Sequence, residues 1–344
     1  MIIEITPLDT LFFRNSKTFF KGEDTWGEGI FPPYPSVIYG ALRTLYFANN
    51  MDTFEYANKE DDPTKNLKIT NIILKNKHYL LFPMPLDCVV SKDSNDKKAI
   101  VLDLQDVNNM FFSNYPNLSK ILVAKGKVEN KKNLYLSDEY FKDYINGKKE
   151  IYYSELGIMD EPKIGIARSK ETHVSAESAL YRIDMKRLND VSIVVEFEGL
   201  SIPKKGLLKL GGESKAAEYK VVENNLERFD VKIDRFFKVV LTTPAIFKKG
   251  WIPSFISEEN FEYKSENIHL KLLAAVVGRP LIVGGFDMKK RRAKPLYKAV
   301  PAGSVYYFEL LKGDVKDLIR KFHKKAISEI YQKQGFGISY LAKI

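Results

Sequence analysis

The chain opens on an alternating pattern. Ile3 and Ile5 share one side of an extended backbone and Glu4 and Thr6 the other, which predicts a strand. A polar, glycine-bearing stretch over residues 14–30 follows, then Phe31-Pro32-Pro33-Tyr34-Pro35. Ser36 is placed to cap a helix, since its hydroxyl can take an orphan amide of the first turn. Val37, Ile38, Ala41, Leu42, Leu45 and Tyr46 recur behind it at helical spacing, with Arg43 and Thr44 off the stripe. Gly40 costs such a helix about 1 kcal/mol relative to Ala, which suggests close packing against a neighbouring backbone. Residues 49–66 read as a polar loop. Residues 67–74 and 79–82 read as a hairpin turned by Lys75-Asn76-Lys77.

From about 88 to 165 the pattern becomes irregular, with polar runs such as residues 91–98, and reads as a long insertion rather than a separate domain. Strand patterns return at 192–197 and 218–222, with a short helix expected near 204–208 and Gly211-Gly212 after it. The second half predicts strands at 236–242, 268–277, 280–283 and 304–310. The two middle runs also admit helix, and β-branched residues near Gly278 and Gly284 favour strands. Asp314 then caps the strongest helical stripe in the chain: Val315, Leu318, Ile319, Phe322, Ala326 and Ile330, with Lys316, Arg320, Lys324 and Lys325 mostly outside it. This helix is expected to end at Gly335, where Gly335-Phe336-Gly337 leads to a last strand over 338–341.

Each half thus opens with a strand, passes through a strand pair and closes with helix, glycine loop and final strand. That order is the split-βαβ, or ferredoxin-like, arrangement, which RNA-recognition modules also use. The predicted fold class is α+β, with two tandem ferredoxin-like domains. Residues 1–226 form the first, carrying the insertion at about 88–165, and residues 227–344 form the second, with the glycine-rich loop.

Composition narrows the function classes. A chain of 344 residues suits about two domains, and 44% hydrophobic residues supply a sizeable core and exclude a disordered chain. The formal net charge of +10 fits a polyanion binder, because Lys and Arg gain by displacing counterions condensed on phosphates. Solubility explains the same charge equally well. Cys88 is the only cysteine, so no internal disulfide forms. The apolar stretch over 270–283 is broken by Lys271, Arg279 and Pro280 and falls short of the roughly 18 residues that span a bilayer. Glu4 and Asp9 stand where a signal peptide would be apolar. A soluble, cytoplasmic protein without a membrane partner is expected.

Four segments are candidates for function. Gly335-Phe336-Gly337, behind a basic helix, can let a phosphate approach backbone amides or simply end the helix. Residues 284–295 place Lys289, Lys290, Arg291, Arg292 and Lys294 within six positions behind Gly284-Gly285; such a run either stays solvated or meets an anion. Phe286 beside it can stack on a base or plug the core. Residues 14–21 interleave Arg14, Lys17 and Lys21 with Phe19 and Phe20, a composition that suits an unpaired strand and also suits core packing. The fourth runs from Gly165-Ile166-Ala167-Arg168 through His173 and Glu177 to Tyr181-Arg182, and its spacing alone names no mechanism.

Catalysis finds little support. Metal-independent RNA cleavage wants a general base and acid, often His. Of His78, His173, His269 and His323, only His173 lies in a polar loop, near Arg168 and Glu177. No HExxH, paired-Cys, Walker, GxSxG or Gly-Gly-Asp-Asp pattern is present. No metal or other cofactor is expected.

Together the segments resemble one family. Leu11-Phe12-Phe13-Arg14 with Phe19, then Pro32-Pro33 and Gly40-Ala41-Leu42-Arg43-Thr44, resemble the N-terminal signature of the Cas5-like RAMP subunit of type III-B CRISPR (Cmr) complexes. Gly165-Ile166-Ala167, Leu180-Tyr181-Arg182, Leu210-Gly211-Gly212-Glu213-Ser214, Gly284-Gly285-Phe286-Asp287 and Pro301-Ala302-Gly303-Ser304-Val305-Tyr306 continue the match. Phe286 stands where the family is expected to carry Trp, and Lys215 where Arg is usual. The resemblance implies two ferredoxin-like (RRM-like, RAMP) domains in a non-catalytic subunit that binds the 5′ tag of the guide RNA (crRNA). It also implies docking on the large polymerase-like subunit and on a backbone RAMP subunit. The RNA-binding candidates it implies are Arg14, Lys17, Arg43, Arg168, His173, Lys215 and the 284–294 loop, besides Gly335 and Gly337. The alternative is a metal-independent endoribonuclease processing precursor crRNA, as some relatives with Cas5-like folds do, with His173 as its base.

Overall fold

A computed structural model describes the chain apart from residues 16–25, 92–95, 108–114, 116, 130, 132, 169–174, 224–228 and 288–290, and apart from the side chains at 167–168, 175–180 and 287. The architecture is mixed α+β and mostly strands, with three α-helices among the described residues. Two compact units form, Met1–Lys68 with Gly157–Val222 and Ile282–Tyr297, and Ile69–Leu156 with Glu223–Leu281 and Lys298–Ile344. Each draws on three separate stretches, so they do not coincide with a single cut at residue 226.

In the first unit the strand Ile2–Pro7 lies between Ser192–Glu198 and Ala216–Val221, antiparallel to both. Neighbours on both edges leave Ile3 and Ile5 fully buried. Glu4, expected on a polar face, is buried as well, and its carboxylate accepts a hydrogen bond from Ser192 Oγ at 2.8 Å. Residues expected to form a short helix near 204–208 instead form the strand Lys205–Lys209, which pairs with Ala216–Val221. Its period is two: Leu208 is buried while Leu207 is exposed.

The helix Pro35–Asn49 forms where the spacing predicts it and buries Ile38, Ala41, Leu42 and Leu45. Its cap is Tyr34 rather than Ser36, with Pro35 in the first turn and no side-chain cap bond. Proline suits that position because its missing N–H would be unpaired there anyway. Gly40 is exposed, and a Cβ at that position would meet nothing within 4 Å. The expected close packing is therefore absent, and Gly40 only weakens the helix.

The second unit contains a six-stranded antiparallel sheet in the order Glu262–Lys264, His269–Val276, Val305–Lys312, Phe236–Leu241, Ile338–Lys343 and Lys325–Ala326. Phe237, Val239, Leu270, Leu272, Tyr306, Phe308, Leu318, Phe322 and Leu341 form its core. Asp314 caps the helix as expected, accepting from the Lys316 amide at 2.8 Å. The helix, however, is Val315–Phe322 and stops well before Gly335. Lys324 takes a left-handed φ of 53°, and the chain re-enters the sheet at Lys325–Ala326. Ala326 and Ile330 continue the sequence stripe but not the helix.

The hairpin Lys68–Lys75 with Leu80–Pro83 forms as read. The stretch after it is more regular than its composition suggests. It contributes the strands Cys88–Ser91, Lys98–Val101 and Glu150–Tyr152 and the helix Asp138–Ile145, capped by Ser137. Phe141 of that helix stacks on Phe82 with ring centroids 4.1 Å apart, and Phe229 and Tyr340 pack edge-on against both.

One carboxylate ties these parts of the unit together. Asp87 is fully buried and accepts from Lys238 Nζ at 3.1 Å, Tyr144 OH at 2.8 Å and Tyr307 OH at 2.6 Å. Lys238 is 2% exposed, and its ammonium also sits 4.1 Å from the centre of the Tyr144 ring. A buried ion costs several kcal/mol unless charge and hydrogen bonds are both satisfied; here an ammonium and two hydroxyls satisfy it. Burial, then the Asp87 charge, pushes both tyrosine hydroxyls up from their ordinary range and keeps them as donors.

His323 closes the C-terminal side. Its Nε2–H donates to the Phe229 carbonyl at 2.8 Å and its Nδ1 accepts from the Leu341 amide at 3.2 Å, a pattern only the neutral ring can make. Burial lowers its pKa accordingly.

Three outcomes follow. Gly40→Ala raises unfolding free energy by about 1 kcal/mol in urea titrations, because it fills solvent rather than a contact. Asp87→Asn or Lys238→Met each costs about 3–5 kcal/mol in the same assay, and the double replacement recovers most of that loss, since no unpaired buried charge remains. Because the His323 pKa is lower in the fold than in the unfolded chain, its contribution is complete above about pH 6.5 and is lost as pH falls below it. His323→Gln flattens that part of the stability–pH curve.

Candidate nucleic-acid interface

The cations of the first unit divide by whether the protein neutralises them. Arg43 leaves its helix and donates to Thr64 Oγ1 at 2.7 Å, Asn58 Oδ1 at 3.0 Å and Asp62 Oδ2 at 2.6 Å. Its guanidinium fastens residues 58–64 to the helix. Lys215 pairs with Asp9, which also meets Arg187, and Arg187 grips Glu161 through Nε at 2.5 Å and Nη2 at 3.1 Å. The hydrogen bond from Lys215 is the main reason the Asp9 carboxyl is held at about 2. This chain of charges fastens the loop at Asp9, the strand Ile158–Arg168 and the turn before Lys215.

The hairpin at 284–295 behaves differently. Phe286–Asp287 pairs antiparallel with Arg292–Ala293, and the Lys294 amide donates to the Gly285 carbonyl at 2.9 Å. Its base is held by Tyr34 OH, which donates to the Ile282 carbonyl at 3.1 Å. Arg291, Arg292 and Lys294 are all exposed, and none forms an ion pair with a described acidic side chain. Phe286 stands among them 56% exposed, so it does not plug the core. A short ladder thus presents an aromatic ring and three cations to solvent.

The other candidates fall as follows. Arg14 is exposed, and its backbone bridges Gly29. Arg168 ends the strand Ile158–Arg168, and its side chain lies outside the described residues. Lys17, His173, Lys289 and Lys290 lie outside them entirely. Gly335 and Gly337 are buried in the second unit, and their amides donate to the Gln332 and Pro244 carbonyls at 3.1 and 2.7 Å. Both of these amides are therefore engaged within the fold. Arg14, Arg43, Arg168, Lys215 and the basic hairpin all belong to the first unit.

Trp26 is a feature the sequence reading missed. The strand Ser175–Leu188 pairs on one edge with Ile158–Arg168, where the Tyr181 ring lies across Gly165 and fills the space a Cβ would take. On its other edge Trp26–Gly27 runs parallel, opposite Arg182 and Ile183. Gly27 and Gly29 make that approach possible: a Cβ on the first would lie 2.9 Å from Ile183 Cγ2, and on the second would overlap the Asp184 carbonyl oxygen. Trp26 Nε1–H donates to Asp184 Oδ2 at 2.6 Å, and the Arg182 guanidinium lies 4.2 Å from the ring centre. The signal in the sequence was Trp-Gly-Glu-Gly, one of only two tryptophans in the chain, followed by two glycines that crowd a strand.

Two described histidines are engaged in structure: His323 as above, and His269, whose Nε2 lies 2.9 Å from Glu262 Oε2. His78 lies in the hairpin turn, its amide donating to Asn76 Oδ1. Among the described residues no helix is long and apolar enough to cross a membrane.

Comparison with known proteins fits the fold. The chain in a cryo-EM structure of the Type III-B Cmr-beta bound to cognate target RNA aligns with a TM-score of 0.54 and 16% identity, covering 98% of this chain and 95% of that one. A chain of Cmr-beta bound to cognate target RNA and AMPPnP, state 1, aligns with a TM-score of 0.51 and 16% identity, covering 89% and 86%. At that identity the likeness concerns the fold. No curated protein matches the sequence. The family model described as CRISPR-associated protein (Cas_Cmr3) matches residues 3–343, and the resemblance to type III-B Cmr subunits is borne out. The chain belongs to the CRISPR-associated Cas_Cmr3 family.

Proposed function

We propose that this Cas_Cmr3 protein serves in a type III-B Cmr effector as the non-catalytic subunit that grips the 5′ tag of the crRNA. In the same reading it docks on the large polymerase-like subunit and on the backbone. The observation that carries the RNA-binding role is the hairpin at 284–295: exposed Arg291, Arg292 and Lys294 without a described acidic partner, around an exposed Phe286. Cations neutralise phosphates while an aromatic ring accepts a base face, the two halves of single-strand recognition. The solved Cmr-beta structures similar in fold carry target RNA by their own description.

The same reading takes the fold as two ferredoxin-like modules. Support comes from the second unit, where the strands rank as His269–Val276, Val305–Lys312, Phe236–Leu241 and Ile338–Lys343. Numbered along the chain this is 2-3-1-4, the order of a split βαβ module. The helix before the last strand is present, and the first crossover, between Leu241 and Glu262, carries no α-helix.

Fluorescence anisotropy with labelled single-stranded RNA tests the proposal. The full chain binds RNA bearing the repeat-derived tag of its own locus more tightly than RNA with a scrambled tag. Replacing Arg291, Arg292 and Lys294 together by Ala weakens binding and lowers the slope of log K against log salt by about 2, three phosphate contacts at roughly 0.7 each. An unchanged slope removes the hairpin from the interface, and equal affinity for both RNAs removes tag recognition.

A further inference from the structure

We propose that Trp26 is a stacking platform for an unpaired RNA base, backed on one face by Arg182 and fixed at its edge by Asp184. This rests on the RNA-binding reading above and assigns it a second contact that the basic hairpin does not supply.

The argument starts from how the ring is held. A tryptophan serving only to cover a strand would turn its ring inward and lose its water. Trp26 instead remains 56% exposed although three separate features immobilise it. Gly27 and Gly29 bring its backbone hard against the strand Ser175–Leu188. Asp184, 9% exposed, takes the indole N–H at 2.6 Å. Arg182, itself linked to Asp184 through Nε at 3.3 Å, lies 4.2 Å from the ring centre. The guanidinium occupies one π-face, so the exposed area comes from the opposite face and the ring edge.

A planar face held rigid, desolvated beneath and open above is what base stacking requires. Ordering a loose ring opposes binding, and here the ordering is already done. Arg182 adds to the attraction, because a cation against an indole and the phosphates of a stacked strand favour the same geometry. The neighbouring edge strand exposes Ile164 and Ile166, with Ile164 directly opposite Arg182 in the ladder. These side chains lie past Arg182, one strand further from the ring, and give that sheet an apolar edge on which a neighbouring sugar or base can rest. RNA is favoured over a protein partner because a guanidinium backs the ring and the unit also carries Arg291, Arg292 and Lys294, exposed and without an acidic partner among the described residues.

The test uses the full chain with Trp251→Phe, which leaves Trp26 as the sole indole. Titration with tagged RNA quenches its fluorescence, and the same RNA made abasic at tag positions in turn loses that quenching at one of them. Trp26→Ala weakens RNA binding roughly 5- to 150-fold, whereas Trp26→Phe, which keeps a π-face, stays within about threefold. Should Trp26→Ala unfold, the Phe variant and the quenching still decide. Unchanged affinity of a folded Trp26→Ala chain, with the hairpin variant still weakened, overturns the platform and leaves the RNA-binding reading standing. Equal loss on intact and abasic RNA, or loss of a copurifying protein with RNA affinity intact, also overturns it. No binding of RNA by the unaltered chain removes the broader reading and the platform with it.

Discussion

A charged side chain that loses its water must find its counter-charge inside the fold, whereas a surface cation can wait for a partner from outside. That constraint sorts the basic residues of this protein. Lys238 is buried and takes Asp87 with two tyrosine hydroxyls. Arg43 and Arg187, near the surface, are still held by three and two residues respectively. Those cations build the protein. Arg291, Arg292 and Lys294 are on a short ladder that keeps them in solvent, and a net charge of +10 is meaningful for function only through groups of that kind. Formal charge counts both sorts alike, which is why composition alone could not separate a nucleic-acid binder from a soluble protein rich in lysine.

Aromatic residues divide in the same way. Phe82, Phe141, Phe229 and Tyr340 pack face and edge within the second unit and need no ligand to explain them. Phe286 and Trp26 are each more than half exposed while their backbones are fixed in ladders. Holding an apolar ring in water gains nothing for folding, so the stability of both loops comes from elsewhere: from Tyr34 and the Gly285–Lys294 bond in one case, and from the glycine-to-strand contact and Asp184 in the other.

Much of the fold was legible because its strands are dense in β-branched and aromatic residues, although several are buried on both faces rather than alternating. Ile2–Pro7, Ser192–Glu198, Phe236–Leu241 and Val305–Lys312 each appear within two residues of where alternation and β-branching predict them. The failures have local causes. The stripe through Ala326 and Ile330 mimics a longer helix, yet the helix stops at Phe322, where His323 turns extended and Lys324 left-handed. Lys205–Lys209 holds too few residues to separate period two from a helical turn. At the site, the basic run declared itself by density of charge. Arg43 and Lys215 looked the same in sequence and differ only because Asp62 and Asp9 reach them from distant positions. Trp26 carried no periodic neighbour at all; its setting depends on two glycines pressed against a strand some 160 residues later, a relation no local pattern encodes.

The most direct measurement is ultraviolet crosslinking of the full chain bound to a tagged guide RNA, with the crosslinked peptides identified by mass spectrometry. The account predicts that nucleotides of the 5′ tag attach to peptides from residues 282–297 and to the peptide containing Trp26. Tag nucleotides attached only to other polypeptides, or only to segments whose cations are internally paired, contradict it.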